Sequence, residues 1–283
     1  MKLENVSLRR GMPASVLMSL YFKDDPIKFG AALSSIFEST MVPDQVILVV
    51  DGPITVGLQN VINDFQKYNE LEVYYLEKNV GLAAALNHGL SRVRFDIIFR
   101  CDADDLNHKD RFEVQFEYLK RQESVSVVGG QIDEYDENWD YIATRKVPTD
   151  LPEIKKLCKY RNPLNHQTVA IRTAALKRVG GYPLGTIFKE DYVLWIRLLG
   201  NGVLIKNLDR VLVDVSAGKS FMCRRGGFFY ALGEIRVQKE LILADISNLS
   251  LAVGVFVVKA ALYVSPKPFL AIFYKLALRS SRK

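Results

Sequence analysis

The first hundred residues alternate short apolar runs with longer stretches whose apolar positions recur every three or four residues. Residues 15–22 read as a strand, 26–39 as a helix, 45–50 as a Val- and Ile-rich strand and 55–67 as a helix. Residues 71–76 are strand-like again, 81–93 form an Ala- and Leu-rich helical pattern, and 96–101 a further strand. Strand and helix alternating at this spacing predict βαβ units and a mainly parallel sheet. Open sheets of that kind bind ligands beyond the carboxyl ends of their strands, where the connecting loops gather.

Beyond Asp105 the alternation loosens. A helix is expected over 109–122, and strands 125–129 and 131–135 are expected to pair around a break at Gly129-Gly130. Helices follow over 150–160, 173–179 and 191–200, with strands at 168–171 and 211–215 and a helix over 227–244. No repeat or low-complexity linker interrupts residues 14–225, which read as one domain. Residues 1–13 read as a loose leader: the apolar run 16–22 is short, and Lys23-Asp24-Asp25 follows with no small-residue cleavage site.

The end of the chain has a different pattern. Leu249–Val264 is apolar apart from Lys259, and its 16 residues fall short of the ~20 needed to span a bilayer. Ser265-Pro266-Lys267-Pro268 breaks the run, and 269–278 resumes it with Lys275 inside. Short apolar helices carrying cations suit a segment lying in the membrane interface; a helical hairpin packed on the body is the alternative. Residues 226–283 are therefore read as a helical, basic, membrane-associating region.

Charge supports that division. The net +6 of the 283-residue chain is matched by six basic residues from Leu249 onward with no acid among them, which leaves 32 basic against 32 acidic residues before. A neutral body argues against a nucleic-acid binder, whose basic surface belongs on the folded domain. A basic end favours an anionic membrane surface. The three cysteines, Cys101, Cys158 and Cys223, form no metal or disulfide pattern and fit a reducing compartment.

The strongest chemical signal is Phe99-Arg100-Cys101-Asp102-Ala103-Asp104-Asp105, an apolar strand that ends in three acids. Side chains two apart on an extended chain point the same way, so Asp102 and Asp104 can face one ligand. Carboxylates so placed repel unless a cation joins them, and their hard oxygens suit Mg²⁺ or Mn²⁺, which complete their shells with water and phosphate. An acidic turn capping the next helix is the plainer reading of the same residues.

At these residues the chain resembles the family 2 glycosyltransferases of GT-A fold, particularly those that assemble bacterial O-antigen and capsule sugars. The likeness rests on Leu17-Met18-Ser19-Leu20-Tyr21, Val49-Val50-Asp51-Gly52, Asn79-Val80-Gly81-Leu82-Ala83-Ala84-Ala85-Leu86-Asn87, Asp102-Ala103-Asp104-Asp105 and Lys189-Glu190-Asp191-Tyr192-Val193-Leu194-Trp195, in the family's order. It implies an α/β GT-A body, an inverting transfer, a divalent metal (Mn²⁺ or Mg²⁺) held by Asp102 and Asp104, and a nucleotide-sugar donor that is usually UDP-linked. It places Ser19 and Tyr21 against the base and ribose, Asp51 at the uracil edge, and Asn79 and Gly81 at the opening of a helix under the donor. Asp51-Gly52-Pro53 departs from the acids followed by Gly-Ser that many relatives show, which leaves the base open. Asp191 is implied as the base that deprotonates the acceptor hydroxyl, with Glu190 positioning the acceptor or tuning that base. A polar residue near His166 touches acceptor or diphosphate in the family.

Two further candidates come from the residues themselves. Arg224-Arg225 beside Gly226-Gly227 suits bidentate phosphate binding. Trp195 suits stacking on an acceptor sugar, although helix packing is the commoner use of a buried Trp. The whole reading is a cytoplasmic enzyme, peripheral on the inner face of the cytoplasmic membrane, acting on a polyprenyl diphosphate-linked sugar. A nucleotidyltransferase would need a Gly-rich, Arg-containing loop after the first strand, where Tyr21-Phe22-Lys23-Asp24-Asp25-Pro26 stands. A non-catalytic, membrane-bound sugar-binding subunit is the other competing class, and the intact acids argue against it. Dehydrogenases and P-loop enzymes are excluded by the lack of GxGxxG and GxxxxGK.

Overall fold

The computed structural model describes residues 12–186, 188–216 and 228–265. The chain opens with β1 (Met12–Leu20), α1 (Pro26–Phe37), β2 (Pro43–Val50), α2 (Val56–Phe65), β3 (Leu71–Tyr75), α3 (Leu82–Leu90) and β4 (Ile97–Arg100). These four strands are parallel and lie in the order β3-β2-β1-β4. Local chemistry sets the helix starts. Asp25 accepts from the amides of Ile27 and Lys28 while Pro26 fills the first turn of α1, and Thr55 caps α2 in the same way.

The strands read as apolar runs because both faces of the sheet are covered. Leu17, Ile47, Val49 and Ile98 face one buried layer, while Val16, Met18, Leu48, Val50 and Phe99 face the other.

After β4 the chain makes a two-residue strand, β5 (Leu106–Asn107), then α4 (Arg111–Arg121), β6 (Val125–Tyr135) and β7 (Tyr141–Arg145). It continues through α5 (Leu151–Cys158), a 3-10 turn at His166–Thr168, β8 (Ala170–Arg172), α6 (Thr173–Arg178), α7 (Glu190–Gly200) and β9 (Leu204–Ser216). The sheet extends as β4-β8-β6-β9-β5, with β7 also on β6. Strand β8 is antiparallel to β4 and to β6, so β6 and its parallel neighbour β9 run in the same sense as β4. Their carboxyl ends therefore share an edge with those of β1, β2 and β4.

Two expectations change here. Residues 125–135 form one continuous strand, not a pair around Gly129-Gly130. A Cβ at either glycine would collide with Asn207 or Leu212 of β9, so the glycines mark a close strand approach and not a turn. The strand expected at 168–171 begins two residues later, because Asn165 and Thr168 close the 3-10 turn first.

Helices α8 (Phe228–Leu243) and α9 (Leu249–Val264) form an antiparallel hairpin at the end of the described chain. Helix α8 contributes Val237 and Leu241 to the same buried layer as Trp195 and Leu198 of α7, so it is built into the body. Lys259 is not directed at an interface as its sequence context implied; it is buried against Glu234 of α8. Among the described residues no helix is long and apolar enough to cross a membrane. The expected segment 269–278 and the pair Arg224-Arg225 lie outside the described residues.

Candidate active site

The acid loop begins where β4 ends and is braced from below by two buried arginines. Arg111 donates to the Arg100 carbonyl (2.8 Å), to Cys101 Sγ (3.6 Å), to Gln115 Oε1 (3.1 Å) and to Asn107. Arg100 donates to the Cys101 carbonyl and ion-pairs with Oδ1 of Asp102. Burial works to raise the Asp102 carboxyl, but Arg100 outweighs it, with help from His166, and holds it below the ordinary carboxylate range. Asp105 is buried and accepts from the amide of Ser216 at the end of β9 (3.3 Å). Burial, then the charges of Asp104 and Asp102, push its carboxyl well above the ordinary range. Three acids thus crowd one loop, and the crowding is felt most by the innermost.

Ser19 and Tyr21 stand half-buried at the carboxyl end of β1. Asp51 is at the matching end of β2, but its carboxylate is committed to the chain. Oδ1 accepts from Val80 N (2.7 Å) and Oδ2 from Gly81 N (3.0 Å), while Asn79 Nδ2 donates to the Asp51 carbonyl (3.1 Å). The amides opening α3 need an acceptor, and a buried Asp51 supplies it. Asp51 thereby shapes the loop that opens α3. Gly81 has φ +88°, and nothing lies within 4 Å of where a Cβ would stand. Its glycine serves the left-handed backbone and leaves open space beside the loop.

The second acidic pair starts α7. Asp191 Oδ2 accepts from Asn162 Nδ2 (2.6 Å) and Oδ1 from the amide of Tyr192 (2.7 Å), which fixes the carboxylate's orientation. Burial and then the charge of Asp191 push the Glu190 carboxyl up to about 7. His166 is half-buried, its Nε2 3.2 Å from the Tyr182 hydroxyl. Burial and the nearby Arg100 push it down to about 4, so it is neutral at neutral pH. Asp102 and Asp191 both act on His166 and Tyr182, and Asp102 acts on Glu190. The two acidic groups, distant in sequence, are therefore within electrostatic reach of each other at one edge of the sheet.

Trp195 departs from its expected role. It is fully buried, with its ring edge-on to His166 at 5.8 Å. Helical periodicity puts it on the inward face of α7, where it is a floor beneath His166 and not a surface for a sugar.

Behind the pair lies a buried ionic node that the sequence did not announce. Lys189, just before Glu190, donates to Glu234 Oε2 (2.8 Å), and Lys259 donates to Glu234 Oε1 (2.6 Å). The rings of Tyr230 and Tyr263 flank the Lys189 ammonium at 4.2 and 4.9 Å. Asn162, Tyr182 and Glu234 carried no sequence signal, because each acts through a contact made across the fold. Arg100 stands next to the acids in the sequence, and its ion pair with Asp102 emerges in the fold.

A curled α/β sheet of this order, with acids gathered at its carboxyl edge, defines the GT-A class of nucleotide-diphospho-sugar transferases. The chain belongs to glycosyl transferase family 2, whose model matches residues 15–180. It is 36% identical over 266 residues to the UDP-Gal:alpha-D-GlcNAc-diphosphoundecaprenol beta-1,3-galactosyltransferase of Escherichia coli, covering 94% of this chain and 96% of that one. Among solved structures it resembles S. aureus TarS 1-349, with a TM-score of 0.66 at 17% identity, covering 95% of this chain and 76% of that one. It also resembles the mannosyltransferase PcManGT from Pyrobaculum calidifontis, solved with GDP-Man and Mn²⁺ (TM-score 0.60, 17% identity, 94% and 79% covered).

Proposed function

We propose that this glycosyltransferase moves a hexose from a UDP-linked donor, with inversion, onto a hydroxyl of a polyprenyl diphosphate-linked glycan during cell-surface polysaccharide assembly. The observation that carries this reading is the meeting of two acidic groups, one beyond β4 and one opening α7, around Arg100, His166 and Tyr182. In a single displacement Asp191 takes the acceptor proton as the new bond forms at the anomeric carbon. The donor's anomeric C–O bond breaks, and its electron pair leaves on the nucleoside diphosphate. Asn162 aims Asp191 at that proton, and neutral His166 with Tyr182 lines the space between the acids.

The acid loop fits a divalent ion by the chemistry of its donor set. Asp102 has one oxygen on Arg100, and Asp105 bears the strain of the neighbouring charges. Among the described residues no three or more His, Cys, Asp or Glu side chains form a ready metal cage. Asp102 and Asp104 would hold such an ion, with donor phosphates and water completing its shell. Such an ion would neutralise charge on the departing diphosphate.

The substrate classes are supported by the E. coli relative, which takes UDP-Gal and a diphosphoundecaprenol-linked GlcNAc. On this reading the enzyme works at the inner leaflet of the cytoplasmic membrane, with the basic chain end near anionic lipid. The test is a panel of UDP-, GDP- and dTDP-sugars with a lipid-diphosphate GlcNAc acceptor and Mn²⁺ or Mg²⁺. A product of inverted anomeric configuration from a UDP-hexose is expected. Transfer from GDP- or dTDP-sugars alone would overturn the donor assignment, and a retained configuration would overturn the single displacement.

A further inference from the structure

Helix α9 is amphipathic the wrong way round for a helix facing water. Its one charged residue, Lys259, points inward to Glu234, together with Ala252 and Tyr263. Its outward side carries Leu249, Val253, Val257, Val258 and Val264, which are 69%, 53%, 58%, 68% and 64% exposed. Leu249, Val253 and Val257 are spaced four apart, with Gly254, Val258 and Ala261 alongside, so they form a continuous apolar stripe. A surface helix normally presents the opposite arrangement. An exposed apolar stripe with the only cation buried behind it calls for a non-aqueous neighbour.

We infer that the outer face of α9 lies on an anionic bilayer, and that this docking sets the catalytic pair at the membrane edge. Three observations favour a lipid occupant. Sixteen residues rise about 24 Å, too short to cross the hydrocarbon core, which leaves the helix lying in the plane. The sequence after Ser265 carries Lys267, Lys275, Arg279, Arg282 and Lys283 with no acid, so lipid-attracting charge follows the apolar face directly. The stripe also ends beside the reaction site. Tyr263 precedes Val264 and meets Tyr230 edge-on at 4.8 Å, and Tyr230 stacks on the exposed Phe188 at 6.1 Å. Phe188 is two residues before Glu190, has φ 56°, and is one of three non-glycine residues with positive φ among those described. A strained, exposed aromatic at that point suits contact with the acceptor's lipid end. The inference rests on the lipid-linked acceptor reading and specifies the side from which that acceptor arrives.

The test is co-sedimentation of the full chain with phosphatidylglycerol/phosphatidylethanolamine vesicles and with neutral phosphatidylcholine vesicles, for the wild type and a Val257→Asp/Val258→Asp variant. The wild type is expected to pellet with anionic vesicles and to be weakened by salt. The variant is expected to bind at least about tenfold more weakly, with a melting temperature within about 2 °C and acceptor-free UDP-sugar hydrolysis unchanged. Unaltered pelleting by the variant would overturn the inference. A wild-type dimer dissociated by the substitutions, with vesicle binding intact, would assign the face to a second copy instead. A melting temperature lowered by more than about 5 °C would mean that the chain's own residues after Ser265 cover it. Vesicle binding needs neither donor nor acceptor, so a wild type that pellets yet transfers no sugar would reject the enzymatic reading and leave this inference standing.

Discussion

Two buried carboxylate regions treat charge in opposite ways. Glu234 is fully buried, and two ammonium groups serve its two oxygens. Burial raises its carboxyl, but Lys189 and Lys259 outweigh that and hold it below the ordinary range. In the acid loop Arg100 takes one oxygen of Asp102, while Asp105 is driven well above the ordinary range by burial and by its two acidic neighbours. One region is neutralised by the chain itself; in the other, the proposed ion and donor phosphates would complete the balance. The difference separates a framework joint from the proposed ligand site more clearly than burial does, since Asp105 and Glu234 are both buried.

The comparison breaks most sharply at Asp191, the proposed base. Asp191→Asn is expected to lower transfer about 10³-fold while leaving nucleotide binding, read by calorimetry, within about twofold. Comparable turnover by the mutant would move the base elsewhere.

Glu234→Ala leaves two buried ammonium groups unpaired and is expected to cost about 3–5 kcal/mol, seen as a melting temperature lower by about 10 °C. Because Glu234 titrates below its ordinary 4.5, its stabilisation is present above that value and is lost as pH falls through the folded pKa. The gap between wild type and Glu234→Gln should therefore close on acidification.

In the acid loop, Asp104→Ala is expected to weaken Mn²⁺-dependent UDP binding about 10-fold or more and to leave metal-free binding unaffected. Equal loss in both conditions would show a packing defect instead.

Glu190 adds a pH test. Raised to about 7, it favours the fold at low pH, and that contribution is lost as pH rises from 4.5 through 7. An inflection near pH 7 in the transfer profile is expected to vanish in Glu190→Gln.

The smallest effect expected is at Asp105→Asn, a gain of about 1 kcal/mol in metal-free melting, which saturating Mn²⁺ and UDP should erase.

The half of the fold up to β4 was legible because its strands and helices follow one local rule, apolar runs alternating with helical spacing. The mixed half was less so. Strand β7 was missed because 141–145 has little apolar patterning, and Gly129-Gly130 imitated a turn although β9's side chains impose the glycines. The acid loop and Glu190-Asp191 were legible as clustered charge. Asn162, Tyr182 and Glu234 were not, since a lone polar residue reveals its partner only after folding. Trp195 shows the converse: residue type suggested a sugar contact, while helix periodicity turned the ring inward.

The fastening of Lys189 to Glu234 and Lys259 bears on how relatives can be recombined. A chimera that keeps this chain's α7 and Lys189 but imports another enzyme's last two helices would strand an ammonium group inside the protein. Residues 189–263 must therefore travel as one cassette.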